Sequence, residues 1–455
     1  MRLLFLKNTI LILFSIFFSC GSTVKETSEG DTGTLNDLIE TGKAVTKDAN
    51  RDKKAEETET TTTMEVGEVT ELNNDRDIVT GANRFNQYLP LLKGKSIGIV
   101  ANQTSIVSVE SEPNTMDGRR TATIENMHLV DFLVGRQLNI QSVFAPEHGF
   151  RGTADAGEMV KDGVDTATGL PIISLYGNNK TPSVAQLKGI DIMVFDIQDV
   201  GARFYTYIST LHYVMEACAE QGIPLIVLDR PNPNGHYIDG PILELEHKSF
   251  VGMHPIPVVH GMTIGEYAQM INGEKWLANA AQCDLTVIEL KGYTHDSTYS
   301  LPVKPSPNLP NDVAITLYPS LCFFEGTFIS AGRGTDMQFQ VFGAPSLPER
   351  FYDFEFTPQA NEGAKYPKFK GELCHGKDLQ NYPRMDQINL EWLIEAYVAN
   401  DRKIDFFNDF FTKLAGTKKL QEQIEQGFTY REIRKTWQAG LKDYNRMRQP
   451  YLLYE

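Results

Sequence analysis

Cysteine is scarce in this sequence, and the spacing of the cysteines excludes the common structural metal sites. Only 5 of the 455 residues are cysteine, and none forms a Cys-x-x-Cys pair or belongs to a cysteine and histidine cluster. A structural zinc site needs such closely spaced ligands, so we expect no metal. The sequence cannot decide whether the cysteines of the folded region pair as disulfides; they are Cys218, Cys283, Cys322 and Cys374.

Several motifs for catalysis and cofactor binding are also missing. No Gly-x-Gly-x-x-Gly follows the first predicted strand, so the fingerprint of a dinucleotide site is absent. The zinc-protease motif His-Glu-x-x-His does not occur either. The stretch from Gly94 to Gly98 matches the letters Gly-x-Ser-x-Gly, but Ser96 begins a predicted strand, whereas a nucleophile elbow places its serine at the end of one. We therefore expect no cofactor.

Basic residues are fewer than acidic residues in this chain. The chain has 43 Lys and Arg against 59 Asp and Glu, which gives a net charge of −16. Such a balance argues against nucleic acid as a partner. With 41% hydrophobic residues, a chain of this length can build a large core and two or three domains.

The first 20 residues have the features of an export signal. Arg2 and Lys7 provide positive charge around an apolar run, TILILFSIFF, that is too short to span a bilayer. Ser19-Cys20-Gly21 then resembles the end of a bacterial lipoprotein signal. We expect an exported lipoprotein, periplasmic or associated with the outer membrane and anchored only by a lipid on Cys20; the alternative is an ordinary signal peptide.

Residues 21–76 are rich in Thr, Glu, Asp, Lys and Gly and have few large apolar side chains. Such a segment cannot bury enough surface to offset its conformational entropy, so we interpret it as a disordered tether. Beyond it we expect one domain over 77–310 and a second domain over 311–455.

Apolar runs alternate with helical patterns through the first of these domains. This alternation predicts an α/β fold with a parallel sheet. The composition after about residue 340 predicts a smaller α+β part with four helices near its end. Strands are predicted near 95–101, 138–145, 172–175, 190–197, 223–228 and 285–290, and helices over 124–137, 206–221 and 263–271.

Dense polar loops follow the predicted strands one after another. Because the carboxyl ends of parallel strands meet at one edge of the sheet, where α/β proteins place their chemistry, these side chains are candidate site residues. They are Asn102, Glu147, His148, Asp196, Asp199, Arg203, Asp229, Asn232 and Asn234. Glu147 and His148 stand out, because Pro146 stops a buried strand immediately before them.

Many long motifs, in one order, resemble a known enzyme family. They include FAPEHGFRG, TGLPIISLYG, IDIMVFDIQDVGARFYTYISTL, LDRPNPNG, SFVGMHPIPVVHGMTIGEYA, PSPNLP and FEGTFISAGRGT. Together they resemble the exo-β-N-acetylmuramidases of glycoside hydrolase family 171 (NamZ type), from about Lys95 to Pro345. The resemblance implies a Rossmann-like domain without a dinucleotide, a smaller α+β C-terminal domain, and hydrolysis of the β-1,4 bond that holds a terminal N-acetylmuramic acid in peptidoglycan fragments (muropeptides).

The same resemblance favours Glu147 as the catalytic residue, and glycoside cleavage needs a proton donor for the leaving oxygen. We assign Glu147 as general acid and place His148 and Asp199 beside it in the catalytic set. The second group stays open among Asp196, Asp199, Asp229, Glu325 and the acetamido carbonyl of the substrate itself. The predicted substrate-binding residues are Asn102, Asp196, Arg203, Tyr205, Asp229, Asn232, Asn234, Glu325 and Arg333.

Within that set, an arginine suits the lactyl carboxylate of muramic acid because a guanidinium binds carboxylate bidentately. We expect Arg203 to do so, with Arg333 as the second candidate and a structural ion pair as the alternative for both. The competing hypothesis for the whole protein is a lipid-anchored muropeptide-binding protein without catalysis.

The tether hypothesis predicts that a variant beginning at Asp77 is soluble, monodisperse and as active as the full chain, because the removed residues contribute no packing. Size-exclusion chromatography and turnover of a chromogenic β-N-acetylmuraminide check this. Loss of folding on that truncation would contradict the tether.

Overall fold

The computed structural model describes residues 78–110, 114–116, 119–121, 124–152, 162–400 and 405–455. The predicted export signal, Cys20 and the tether lie outside these residues. Within the described part of the chain, no helix is both long and apolar enough to cross a membrane.

The strands are short and lie mostly in the first part of the chain. In chain order they are β1 (Ser96–Ala101), β2 (Ile106–Glu110), β3 (Asn114–Met116), β4 (Arg119–Thr121), β5 (Ile124–His128), β6 (Asn139–Ala145), β7 (Gly163–Val164), β8 (Pro171–Ser174), β9 (Ile192–Asp196), β10 (Leu225–Leu228), β11 (Leu285–Ile288), β12 (Val341–Ala344), β13 (Phe354–Phe356) and β14 (Cys374–Asp378).

The helices separate the strands and then dominate the end of the chain. They are α1 (Phe85–Leu92), α2 (Leu129–Gly135), α3 (Val184–Leu187), α4 (Tyr207–Gln221), α5 (Ile264–Gly273), α6 (Asp312–Leu321), α7 (Glu391–Ala399), α8 (Asp409–Ala415), α9 (Lys419–Glu425) and α10 (Tyr430–Arg448).

The large sheet has the strand order β11-β10-β9-β1-β6-β8-β7. All neighbouring pairs are parallel except β7 with β8. Numbered along the chain, the parallel strands follow the order 3-2-1-4-5-6 of a doubly wound Rossmann-like sheet. The α/β prediction is confirmed, and the carboxyl ends of these strands share one edge.

Residues of the central strands alternate between two apolar layers. Met193 and Phe195 of β9 pack with the layer that contains α4 and α5. Ile192 and Val194 of the same strand pack with α1 and α2 on the opposite face. Because successive side chains of a strand point to opposite faces, a nearly continuous apolar run is what a sheet covered on both sides requires.

The predicted helix ends are confirmed where capping residues mark them. Thr263 and Glu266 form a reciprocal capping box at the start of α5, which satisfies two backbone N–H groups that lack helical partners. Gly222 ends α4 with a left-handed φ of 64°, a conformation that costs glycine little.

The predicted helix over 124–137 is wrong in its first third. Residues Ile124–His128 form β5, which pairs antiparallel with β2, and the helix begins only at Leu129. Ile124 and Met127 are exposed, so their helical spacing does not reflect burial. The backbone of β2 provides the hydrogen bonds that favour a strand there.

The end of the chain forms the predicted smaller α+β part. Its antiparallel sheet has the order β12-β14-β13, and α7 to α10 follow. The four cysteines of the folded region are buried as free thiols and form no disulfide: Cys218, Cys283, Cys322 and Cys374.

Candidate active site

A cavity of about 330 Å³ lies beside the carboxyl edge of the sheet, where loops after β6, β8 and β9 meet the end of the chain. Its wall combines aromatic rings with a few polar side chains, as ligand pockets commonly do. The lining residues are Glu147, His148, Tyr176, Phe204, Tyr205, Thr206, Phe250, Val251, Ser306, Asn308, Leu309, Tyr318, Cys322, Glu325, Arg333, Phe339, Phe410 and Leu414.

The chain turns sharply at Glu147. The backbone N–H of Gly149 donates to the carbonyl of Pro146 at 3.0 Å, which closes a turn with Glu147 and His148 at its centre. His148 has a left-handed φ of 70°, which costs a non-glycine residue roughly 1–2 kcal/mol. Backbone strain of this kind concentrates at functional sites. The turn presents Glu147 to the cavity, while His148 is buried in its wall.

Hydroxyl groups hold the Glu147 carboxylate. Thr206, the residue before α4, donates its hydroxyl to Oε2 of Glu147 at 2.7 Å. Ala145 of β6 pairs with Ser174 of β8, which brings Tyr176 beside Glu147. Burial, the Glu147 charge and a hydrogen bond to its carboxylate raise the pKa of Tyr176, so the tyrosine keeps its proton and donates it in this bond.

Tyr205 and Tyr207 secure the proline-rich segment that covers one side of the cavity. Their hydroxyls donate to the carbonyl of Pro305 at 2.9 and 3.2 Å. The two rings meet edge to face, with centroids 4.7 Å apart. Tyr205, a predicted substrate-binding residue, lines the cavity, and its hydroxyl serves to position the segment that carries Ser306 and Asn308.

Glu325 and Arg333 form the charged part of the wall. Nη1 of Arg333 lies 3.3 Å from Oε2 of Glu325, and both side chains are about one fifth exposed, 21% and 22%. Nη2 of Arg333 donates to the carbonyl of Gly363 at 3.4 Å, and the Asn308 amide donates to the same carbonyl at 2.7 Å. Glu325 and Arg333, which are 8 positions apart in the sequence, therefore lie together in the wall of the cavity.

The three predicted aspartates do not line the cavity; they stabilise loops. Asp196 is fully buried and forms a bidentate pair with Arg230, at 2.6 and 2.8 Å. Oδ2 of Asp199 accepts from the N–H of Gly201 at 2.7 Å. Asp229 accepts from the hydroxyl of Tyr454 at 2.6 Å, and burial raises its pKa to about 7. Their contacts do not support a direct role in catalysis or substrate binding.

The predicted asparagines also serve the loops. Asn102 Oδ1 accepts from the backbone N–H and the hydroxyl of Thr104 at 2.9 and 2.6 Å. Asn232 donates to the carbonyl of Met262 at 2.9 Å, and Asn234 donates to that of Val200 at 2.9 Å. None of the three is among the described residues that line the cavity.

One group of side chains in the described ranges has the spacing of a metal site. Glu244, Glu246 and His247 place their ligand atoms within 4.8 Å of one another. They do not line the cavity, and Glu244 already pairs with Lys419 at 2.6 Å.

Sequence comparison identifies relatives of this chain. Models described as exo-beta-N-acetylmuramidase NamZ, N-terminal and C-terminal, match residues 97–313 and 316–454. The chain is 38% identical over 394 residues to the peptidoglycan beta-N-acetylmuramidase NamZ of Bacillus subtilis (strain 168), a match that covers 81% of this chain and 89% of that protein. The chain belongs to the exo-β-N-acetylmuramidase family. It is a glycosidase.

Solved structures support the same fold. A DUF1343 family protein from Bacteroides fragilis NCTC 9343 is 44% identical, with a TM-score of 0.73 over 83% of this chain and 99% of that one. A second DUF1343 protein of the same organism is 29% identical, with a TM-score of 0.69 over 84% of this chain and 100% of that one.

Sequence reasoning missed several wall residues of this muramidase-family cavity. Tyr176 directly follows a predicted strand, which is where site residues were expected. Thr206 lies between two tyrosines of a motif on which the family resemblance rests. The sequence therefore offered a reason to propose both as site residues. Asn308 belongs to the motif PSPNLP. Tyr318 had none, because it lies on α6, a helix that contains Pro319 and that the sequence pattern does not predict.

Arg203 does not line the cavity of this family member, contrary to its predicted role. It is fully buried and donates to four backbone carbonyls at 2.7 to 2.9 Å: those of Pro241, Ile256, Leu414 and Ala415. These partners are backbone carbonyls, so the structural ion pair that was the alternative for Arg203 is not what these contacts form. Burial lowers its pKa to about 9, so the guanidinium is still charged at neutral pH. It joins the sheet part of the molecule to α8.

Arg203→Ala should therefore reduce stability before it changes sugar preference. Each buried carbonyl left without a donor costs roughly 1–3 kcal/mol, so we expect a loss of at least about 3 kcal/mol in the free energy of unfolding. Denaturant unfolding measures it. The matched control is Arg446→Ala, at a side chain 72% exposed, which should stay within about 0.5 kcal/mol of wild type. If Arg203→Ala keeps wild-type stability and raises KM, the result would contradict the structural role and support substrate binding by Arg203.

Proposed function

We propose that this protein hydrolyses the β-1,4 bond of a terminal, non-reducing N-acetylmuramic acid in peptidoglycan fragments, with Glu147 as general acid. The relative from Bacillus subtilis is a peptidoglycan beta-N-acetylmuramidase, and the family is exo-acting by description. A cavity of about 330 Å³ lies at the lower end of the range for ligand pockets, which suits one terminal sugar better than a long glycan.

We assign Glu147 as the acid from the groups that contact the two carboxylates of the cavity wall, Glu147 and Glu325. Glu147 is held by hydroxyls, those of Thr206 and Tyr176. A hydroxyl both donates and accepts, so it can stay bonded to a carboxyl group that loses and regains a proton. Glu325 is held by the guanidinium of Arg333, which only donates and therefore offers no acceptor for a proton on the carboxyl group.

The reaction then proceeds with Glu147 as the proton donor. Glu147 gives its proton to the glycosidic oxygen as the bond from that oxygen to C1 of the muramic acid breaks. A water adds its oxygen to C1, and its proton returns to Glu147. Positive charge that develops at C1 in the transition state is stabilised by carboxylates of the wall or by the acetamido carbonyl of the sugar. Tyr176 and Thr206 orient the Glu147 carboxyl group throughout.

Glu147→Gln should lower kcat by roughly two to four orders of magnitude, the range for positioned acid catalysis, with little change in KM. The loss should be larger for a disaccharide than for a nitrophenyl β-N-acetylmuraminide, because nitrophenolate leaves without protonation. Steady-state kinetics on both substrates measure it. Thr206→Val is the companion variant: it keeps the carboxyl group, loses its orienting hydroxyl, and should show a smaller loss. If Glu147→Gln turns over substrate at a rate close to that of the wild type, Glu147 is not the general acid.

We also propose that the protein works outside the cytoplasm, held at a membrane by a lipid on Cys20. The charged start, short apolar run and Ser-Cys-Gly sequence support this. Cys20→Ser should move the protein from the membrane fraction to the soluble fraction of cells without changing kcat, because it removes the lipid attachment site and alters no residue of the cavity. Fractionation and labelling with a fatty-acid analogue test it; an unchanged membrane fraction would contradict the anchor.

A further inference from the structure

We infer that the ring of Phe410 is a stacking surface for the leaving sugar, the N-acetylglucosamine unit that follows the terminal muramic acid in a peptidoglycan fragment. The position of the leaving sugar rests on the proposed function, because the bond that is cleaved defines it. The exposure and the fixed position of Phe410 do not rest on that function. Such a surface would make the enzyme prefer a glycan to a muramic acid derivative with a small leaving group.

Phe410 marks the mouth of the cavity. It lines the cavity and is 38% exposed, which makes it the most exposed of the described lining residues. Leu414, four residues further along α8, lines the same cavity but is only 1% exposed. Residues four apart share one face of a helix, with an axial separation of about 6 Å. The helix α8 therefore runs from the opening of the cavity at Phe410 to its interior at Leu414.

Both ends of α8 are held in place. At its start, the backbone N–H of Asn408 donates to the carbonyl of Gly326 at 2.9 Å, and the Asn408 side chain accepts from the N–H of Phe410 at 2.9 Å. At its end, the guanidinium of Arg203 donates to two carbonyls, at 2.9 and 2.8 Å. A ring on such a fixed helix loses little conformational freedom when a ligand binds to it.

The ring of Phe410 is free to receive a ligand. Phe250, the other partly exposed phenylalanine of the wall, stacks on Tyr213 with centroids 6.3 Å apart and has Nζ of Lys180 at 5.1 Å from its centroid. Phe410 makes no such ring contact within the described part of the chain. The face of a phenyl ring is apolar and carries partial negative charge, so it suits the C–H face of a pyranose.

The exo-acting mode of the proposed reaction puts the leaving sugar at this mouth. A cavity of about 330 Å³ suits one terminal sugar, so the bond to be broken lies where the cavity opens. Glu147, which would protonate that bond, lines the cavity and is partly exposed. The next sugar of the chain then extends into the opening, where Phe410 offers it an apolar surface.

The experiment compares kcat/KM of the full chain for two substrates that share the muramic acid. One is the disaccharide of N-acetylmuramic acid β-1,4-linked to N-acetylglucosamine, and the other is N-acetylmuraminyl fluoride, whose leaving group is too small to reach a second sugar site. Phe410→Ala should lower the value for the disaccharide about 5- to 20-fold, mainly through KM, and leave that for the fluoride within a factor of about two. Phe410→Trp keeps a ring and should keep the disaccharide value.

Phe428→Ala is the matched control. Phe428 is 37% exposed, close to the value for Phe410, and does not line the cavity, so its loss should change neither substrate. Equal losses for disaccharide and fluoride with Phe410→Ala would overturn the inference, because the ring would then contact the terminal sugar. An unchanged disaccharide value would overturn it as well. If Phe410→Ala fails to fold, Phe410→Leu keeps apolar bulk without a ring and takes its place, with the same two outcomes expected.

A binding measurement separates this subsite from the catalytic proposal. Calorimetry measures the affinity of Glu147→Gln for the disaccharide and for free N-acetylmuramic acid. Adding Phe410→Ala should weaken binding of the disaccharide by the factor found in the kinetics and leave the monosaccharide unchanged; equal changes for both would overturn the subsite whether or not Glu147 is the acid. Full turnover by Glu147→Gln would overturn the acid alone. If the wild type cleaves neither substrate, the proposed function fails, and the calorimetric comparison still decides on Phe410.

Discussion

The buried guanidinium of Arg203 is the interaction on which the cavity depends. It donates to carbonyls of Pro241 and Ile256 in the sheet part, and to those of Leu414 and Ala415 at the end of α8. Leu414 lines the cavity, so the same hydrogen bonds that join the two parts also place one wall. A buried charge without a carboxylate partner is costly unless its N–H groups are satisfied, and here four carbonyls satisfy them. The wall of the cavity is thus tied to the sheet by a contact that solvent cannot reach.

Polar residues at the carboxyl edge of the sheet serve two purposes. Asp196, Asp199 and Asp229 are buried and bind side chains or backbone N–H groups of neighbouring loops. Glu147 faces the cavity with hydroxyl partners. A buried carboxylate must be compensated by donors, so the interior aspartates stabilise the loops that support the turn at Glu147. Rigid support of this kind is what a positioned catalytic group requires.

The charges in the cavity wall are arranged by partner type. Hydroxyls of Thr206 and Tyr176 contact the carboxyl group that we assign to proton transfer, and the guanidinium of Arg333 pairs with Glu325. Arg333 comes from a segment far from β6, since it precedes β12. The C-terminal part therefore contributes an ion pair to the wall of the cavity, and the loop after β6 contributes Glu147.

The sequence by itself determined the parallel sheet, because continuous apolar runs such as Ile192–Asp196 have a stable place only between two layers of helices. It also determined the place of Glu147, since Pro146 ends a strand immediately before it and the carboxyl edge of the sheet is where such loops meet. Only the tertiary structure decided which polar residues face the cavity. Arg203 and Arg333 both stand next to small residues in polar segments, yet one is buried on carbonyls and the other lines the wall. The helix α6 was not predicted, because Pro319 lies inside it. Side-chain direction and charge balance depend on contacts between residues distant in sequence, and local pattern does not encode those contacts.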